Sequence, residues 1–453
     1  MDNRTTQLQQ LFSDGCELLH AGNAGQALTR FQSAQNIDTS NATLYLYAGV
    51  ALHDLGRFDE AVACYEKALQ ITPLMAEAHN NLGNSLMALG RFCAAADSFS
   101  RAADLLPTSP VPLAARATAL QATGKVTEAE ADCRKALTIA PDFAAAHWNL
   151  ALNLLLQGHY PEGWREYEWR WRKPDFTSPF RHGDVPLWDG SPLNGSTILL
   201  HAEQGFGDAI QLVRYAPLVA GLGGNIILEC HPQLVSLFHG LMRVQAVIPF
   251  GAPLPAFSCQ IPLLSLPGVF GTTLQNIPSE CPYLKVTPAQ RQKWSALTSV
   301  YPRSPRIGLV WAGKSYPDPL RSLRLPELAP LAADDITFFS LQLGAGAEEA
   351  KQPPSGMCLI NLTDNISDFA DTAALIEQMD LVISIDTAVA HLAGALGKPV
   401  WLLLPYAPDW RWLLERSDSP WYPATQIFRQ EQPGDWSGVI DRVSSALKNC
   451  TRK

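Results

Sequence analysis

Aligned with its neighbours, the stretch Ala76–Pro107, AEAHNNLGNSLMALGRFCAAADSFSRAADLLP, returns along the chain at a strict step of 34 residues. One small position falls at Gly15, Gly49, Gly83, Ala117 and Ala151, and a second at Ala27, Ala61, Ala95, Ala129 and Gly163. An aromatic or bulky position falls at Phe31, Tyr65, Phe99, Cys133 and Tyr167. A closing turn carries Pro73, Pro107 and Pro141, with Thr39 in the first copy. An unrelated helical bundle predicts no constant period. Stacked units do, because each buries its apolar face only against the next.

These five in-phase copies resemble the tetratricopeptide repeat over residues 8–171. The resemblance implies a helix pair per unit and a curved solenoid whose concave groove takes an extended peptide or protein. The last copy runs into GHYPEGWREYEWRWRKPDF. Its Trp164, Trp169 and Trp171 stand at helical spacing and read as packing residues that cap the array against the next domain.

A chain of 453 residues holds two or three domains. Its 47% hydrophobic and 17% charged residues describe an ordinary soluble protein, and a net charge of −9 argues against binding nucleic acid or an anionic membrane. Nine cysteines spread from Cys16 to Cys450 without a C-x-x-C pair suit reduced thiols in the cytoplasm. The opening MDNRTTQLQQ has no apolar signal core, and no run of 18 apolar residues occurs, so a cytoplasmic protein without a membrane span is expected.

The second half contains Gly308–Ser315, GLVWAGKS, which fits the phosphate-loop pattern G-x-x-x-x-G-K-S/T letter for letter. The pattern works only where a glycine-rich loop turns its amides to phosphates and a helix follows at once. Here Leu309, Val310, Trp311 and Ala312 read as a buried strand, and Tyr316-Pro317-Asp318-Pro319 is a poor helix start. Gly313 and Lys314 are therefore expected at a strand end rather than in a nucleoside triphosphatase.

Residues 172–196 are rich in Pro, Gly and Asp and read as a connector. Beyond them the runs TILLHA, NIILEC, RIGLVWA, TFFSLQL, LVISID and VWLLLP have strand length and the unbroken apolar character of parallel sheet. DAIQLVRYAPLVAGLG, DFADTAALIEQMD and a closing DWSGVIDRVSSALK read as helices. Strands alternating with helices imply doubly wound sheets, and a polar stretch near 286–305 divides them into subdomains at 197–300 and 301–453. Ligands are expected in the cleft at the strand carboxyl ends.

Three constellations point there. In HAEQGFGDAIQLVRY, His201 ends a strand, Gln204, Gly205, Phe206 and Gly207 form a tight loop, and Asp208 opens a helix. Asp208 is either a helix cap or a functional carboxylate, and Glu203 is a second carboxylate suited to acid–base work. In LVISIDTAVAHLAGALGKPVWLLLP, Asp386 ends a strand and Thr387 begins a helix whose free amides suit a pyrophosphate. His391 lies one turn along and reads equally as structural or ligand-facing. In the third, Gly313 and Lys314 precede Arg321 and Arg324, cations able to neutralise phosphates without a metal, and no D-x-D pair demands one. Trp410, Arg411, Trp412, Trp421 and Tyr422 form a cluster that either grips a ligand or locks the subdomains together.

EQGFGDAIQLVRY, GLVWAGKS, SIDTAVAHLAGALGKPVWLLLP and DWRW…SPWYP resemble the bacterial tetratricopeptide-repeat glycosyltransferases. These have a GT-B catalytic half of two Rossmann-like subdomains, related to heptosyltransferases and organised like O-GlcNAc transferases. The resemblance covers essentially the whole chain. It implies an inverting, metal-independent enzyme without a cofactor that moves a sugar from a nucleotide-sugar donor to a Ser or Thr of a protein acceptor. It matches Asp208 to the proposed base of heptosyltransferases, Asp386, Thr387 and His391 to the stretch holding the donor diphosphate, and Lys314 to a phosphate-binding cation. This chain has Ala388 where the heptosyltransferase pattern has Gly, and Glu203 and His201 remain rival bases. The other readings are a repeat scaffold with an inactive transferase-like half, or a transferase acting on a lipid or glycan.

Overall fold

The computed structural model describes residues 3–301, 305–314 and 319–451. The chain forms two compact units, Met1–Asn153 and Leu154–Lys453.

The first unit is all helical. Its helices run Asn3–His20, Ala24–Ile37, Ala42–Asp54, Phe58–Ile71, Ala76–Ala88, Phe92–Leu105, Val111–Ala122 and Val126–Ile139, and Ala144–Leu156 crosses the boundary. Gly22, Gly56, Gly90 and Gly124 close the first helix of successive pairs with φ between 70° and 76°. Only glycine adopts this left-handed turn freely. It lets the next amide reach back five residues, as in Arg57 N to Leu52 O at 2.9 Å and Arg91 N to Leu86 O at 2.8 Å.

The repeat's small and aromatic positions form one contact. A Cβ on Gly15, Gly49 or Gly83 would stand 2.5 Å from the ring of Phe31, Tyr65 or Phe99 respectively. Each ring lies on bare backbone, which is how paired helices come close. The fourth copy has Ala117 with the smaller Cys133, both fully buried, so volume added on one helix is removed from the other.

The second unit opens with the end of Ala144–Leu156 and the helix Tyr160–Tyr167, continued as a tighter turn through Arg172. Residues 173–196 contain no helix or strand and lie against the first sheet, through a bridge from Leu187 to Gln260 and through His182, whose Nε2 is 2.9 Å from Glu229 Oε2. Strands β1 (Thr197–His201), β2 (Asn225–Cys230), β3 (Val244–Pro249) and β4 (Cys259–Pro262) make a parallel sheet in the order β3-β2-β1-β4. Strands β5 (Arg306–Val310), β6 (Thr337–Ser340), β7 (Leu359–Asn361), β8 (Leu381–Ile385), β9 (Val400–Leu404) and β10 (Thr425–Arg429) make a second, in the order β10-β9-β8-β5-β6-β7. The second order is the doubly wound one, which reverses direction between β5 and β8 and opens a crevice at their carboxyl ends.

The six runs picked out as strands are β1, β2, β5, β6, β8 and β9. The polar stretch near 286–305 is not simply a divider, for it holds the helix Pro288–Thr298, capped where the Thr287 hydroxyl accepts from Gln290 N at 3.3 Å. Trp294 of that helix is buried and donates its indole N–H to Asp371 at 2.8 Å. The run from Asp208 to Gly223 breaks into Phe206–Leu212 and Ala216–Gly221 around a tighter turn, because Pro217 has no N–H and crowds the carbonyl four residues back.

Gly83→Ala is expected to lower the unfolding free energy of the first unit by about 1–3 kcal/mol by forcing the Phe99 ring away. In Gly83→Ala/Phe99→Cys, which recreates the fourth copy's pair, chemical denaturation should show a loss smaller than the sum of the singles.

Candidate active site

Gly308 lies inside β5, where a Cβ would stand 2.5 Å from Leu341 Cδ1. The amides that would face a phosphate are already used. Trp311 N and Ala312 N both donate to Gln342 Oε1 at 2.9 Å, and Gly313 N donates to Ser322 Oγ at 3.1 Å. GLVWAGKS is thus a buried strand and a braced exit loop; Ser315 to Asp318 lie outside the described residues. Gly313 is pressed against Arg321, whose Nε would stand 3.1 Å from a Cβ there, and Arg321 Nη2 donates to Lys314 O at 3.2 Å. Lys314 is exposed at this edge.

Two helix starts meet across the subdomains. After β1, the helix Phe206–Leu212 begins with Asp208 as its third residue, and Gly205 N donates back to Asp208 Oδ2 at 2.7 Å. After β8, Thr387 precedes the helix Ala388–Ala395. The helices touch at Gly207, where a Cβ would stand 2.8 Å from His391 Cδ2 and 3.6 Å from Ala388 Cα. Gly207, expected in a loop, thus lies in the helix and serves helix–helix approach. Phe206 bridges the same gap, its ring 4.8 Å from His231 and 4.9 Å from Phe369.

The buried guanidinium of Arg411 ties this meeting point together. It forms an ion pair with Asp208 Oδ1, and donates to Gln211 Oε1 at 2.6 Å and to Asp409 Oδ1 at 2.8 Å. Asp208 and Gln211 belong to the first-sheet subdomain, Asp409 and Arg411 to the second. Asp208 is thus both braced within its helix and paired, so each oxygen has a donor. Gln211 Nε2 and Trp412 Nε1, both buried, lack an acceptor among the described residues.

Burial pushes the Asp386 carboxyl up to about 6, helped by the nearby Asp409 carboxylate. The Trp412 indole, Arg411 and Arg321 oppose that rise, the indole without completing a hydrogen bond. His391 is buried and its pKa lies well below the ordinary histidine value, chiefly through burial and then through the charges of Arg411 and Arg214. Its Nδ1 shares a 2.9 Å hydrogen bond with the Tyr422 hydroxyl, its ring stacks on Trp412 at 5.3 Å, and its Nε2 stands 3.8 Å from Asp386.

The structure thus gathers Gly205, Phe206, Gly207, Asp208, Asp386, Thr387, Ala388, His391 and Arg411. It turns the rival bases elsewhere. Glu203, with its carboxyl raised to about 7 by burial against the pull of Arg170, pairs with that fully buried arginine at 3.1 Å. His201 donates Nε2 to Gln260 at 2.8 Å inside the first sheet, and burial lowers its pKa to about 3. Trp410 is buried against Trp164 at 5.2 Å and Trp421 at 6.0 Å, a packing role rather than a nucleotide platform.

Several organising residues escaped the sequence reading. Gln342 fixes the β5 exit, Arg170 neutralises Glu203, and Arg214 donates to Trp421 O at 2.7 Å and to the Tyr283 hydroxyl at 3.0 Å. His231, just past β2, has its ring 4.6 Å from Phe250 and a buried Nδ1 without a partner among the described residues. Each partner lies far away in sequence, so no local spacing marks it.

Comparison with known proteins agrees with this division. Residues 335–413 match the glycosyltransferase family 9 (heptosyltransferase) model, residues 49–90 a TPR repeat model and residues 113–143 a tetratricopeptide repeat model. Protein FlbA of Caulobacter vibrioides is 28% identical over 372 residues, covering 74% of this chain and 60% of FlbA. The chain thus spans about three fifths of that relative's length. The crystal structure of MamA aligns with 34% of this chain and 91% of its own at 21% identity and a TM-score of 0.33. YrrB, described as a TPR protein with an unusual peptide-binding site, aligns with 37% of this chain and 90% of its own at 19% identity and a TM-score of 0.33. The chain carries tetratricopeptide repeats together with a glycosyltransferase family 9 domain.

The Asp386 carboxyl titrates higher folded than unfolded, so the stability it contributes is full below its ordinary value of 3.8 and is lost as pH rises through about 6. Asp386→Asn should therefore gain on the parent protein as pH rises from 4 to 7, by about 2–3 kcal/mol in all. Denaturant melts of both proteins across that range check it; a constant difference would contradict it.

Proposed function

We propose that this chain is a GT-B glycosyltransferase that moves a sugar from a nucleotide-sugar donor to a Ser or Thr hydroxyl of a protein held by the repeats. The observation that carries the reading is that the family 9 segment, residues 335–413, contains the Thr387 helix start and Arg411, which meet Asp208 of the other subdomain. In this reading the domain limits are 1–171, 172–196, 197–300 and 301–453, the arrangement follows the O-GlcNAc transferases, and the site is cytoplasmic. No helix among the described residues is long and apolar enough to cross a membrane.

The donor diphosphate would lie over the helix start, where the amides of Ala388 and Val389 have no acceptor among the described residues. Lys314, Arg321 and Arg411 supply the positive charge that a bound metal supplies in other transferases. Asp208 takes the acceptor proton as the hydroxyl oxygen attacks the anomeric carbon from the face opposite the leaving diphosphate, inverting the anomer. His391 backs the helix as a neutral, buried support.

One observation favours a second reading. Both Asp208 oxygens are engaged, which suits a repeat scaffold with a silent transferase half. Titration calorimetry with UDP-, GDP-, ADP- and CMP-sugars separates the two, since a scaffold need bind none.

Cellular glycoproteins compared by mass spectrometry with and without the gene should reveal the sugar and acceptor. With these in hand, Asp208→Asn should lower turnover by about 100-fold or more, and Lys314→Ala by about 10–100-fold. Near-normal turnover by both folded variants would overturn the assignment.

A further inference from the structure

Arg411 occupies an unusual position in this site. Its guanidinium is buried, yet its partners are a carboxylate and an amide from one subdomain and a carboxylate from the other. The carboxylate it holds on the first-sheet side is the group needed, free of a cation, to accept a proton. A carboxylate locked to a guanidinium is a poor proton acceptor, because protonation must break the pair.

The surroundings are rich in donors. Gln211 and Trp412 are both buried, and their Nε2 and Nε1 atoms have no acceptor among the described residues. Gln211 is itself a partner of Arg411, and Trp412 follows it in the chain. The charge of Arg411 reaches Asp386 at the head of the Thr387 helix. Buried donors without acceptors are costly, and a group bringing several anionic oxygens would satisfy them.

We propose that Arg411 couples the two halves of the reaction, pairing with Asp208 until the donor diphosphate binds and then moving to that diphosphate, so that Asp208 is freed only when a diphosphate is in place. This rests on the donor reading above and adds an order to it. A diphosphate carries more charge than one carboxylate, and it draws Arg411 while Asp409 stays beside it as the fixed anchor. Released, Asp208 takes the acceptor O–H proton. The acceptor oxygen then bonds to the anomeric carbon, the bond from that carbon to the diphosphate breaks, and its electron pair leaves with the diphosphate, now paired to Arg411. The proton on Asp208 passes to water. Without donor, Asp208 stays masked and the acceptor hydroxyl is not activated. Arg411 is in this sense a positioning residue for Asp208.

The test uses the unmodified full-length protein. Thermal melts with UDP, GDP, ADP, CDP and inorganic pyrophosphate identify the diphosphate that binds. Carboxyl footprinting with a carbodiimide and glycine ethyl ester, read by mass spectrometry, then follows Asp208 against the exposed Glu348 as reference. Asp208 should label slowly in the free protein and at least about threefold faster with the bound diphosphate, as the paired population shifts to the free one. Unchanged or slower labelling with a diphosphate that does bind overturns the coupling and makes Arg411 a permanent strut, leaving the transferase reading intact. No binding by any probe removes the donor reading and the coupling with it. In Arg411→Lys with a native melting transition, Asp208 should label fast without any nucleotide; slow labelling there also counts against the coupling.

Discussion

A guanidinium withdrawn from water must find hydrogen-bond acceptors, best of all carboxylates, and the burial of Arg411 is the constraint around which the second unit is arranged. Its anionic partners come from both subdomains, so one buried charge ties Asp208 of the first-sheet side to Asp409 of the second. Arg214, in the tighter turn just after the helix Phe206–Leu212, is buried with carbonyls and rings instead, donating to Trp421 O and Pro278 O and lying 4.6 Å over the rings of both Tyr283 and Tyr422. Removing one partner of such a group strands a buried charge, which costs far more than the pair contributes.

That requirement explains the small residues nearby. For Arg411 to reach Asp208, the helices carrying Asp208 and His391 must nearly touch, and Gly207 removes the side chain that would keep them apart. Gly394 does the same for the Tyr422 ring, which a Cβ would meet at 2.5 Å. The solenoid solves its own close approach alike, with Gly15, Gly49 and Gly83 each bare beneath an aromatic ring. In both units glycine marks the point where two helices are drawn closer than side chains allow.

The six strands legible in the sequence are all interior to their sheets, and the four that were not, β3, β4, β7 and β10, are all edges. An interior parallel strand is covered on both faces and flanked on both sides, so it reads as an unbroken apolar run such as TILLH or VWLLL. An edge strand such as CQIP or TQIFR mixes polar residues into three to six positions and has no such signature. GLVWAGKS was legible in part for the same reason: Leu309 and Val310 lie inside β5, whereas Trp311 and Ala312, expected in the strand as well, fall in its exit loop.

What the sequence determined by itself was therefore everything carried by a period or a local run: the 34-residue repeat, the interior strands, the helix start at Thr387 and, two residues late, the one that holds Asp208. The partners of the charges were decided only by the tertiary structure. Glu203 and Asp208 look equivalent on paper, two carboxylates five residues apart at a strand exit. One meets Arg170, 33 residues upstream, and is buried; the other meets Arg411, 203 residues downstream, at the junction of the subdomains. Spacing along a chain specifies which face of a helix or strand a residue occupies. Which charge waits opposite depends on elements brought together by folding, and that choice separates a structural carboxylate from a candidate base.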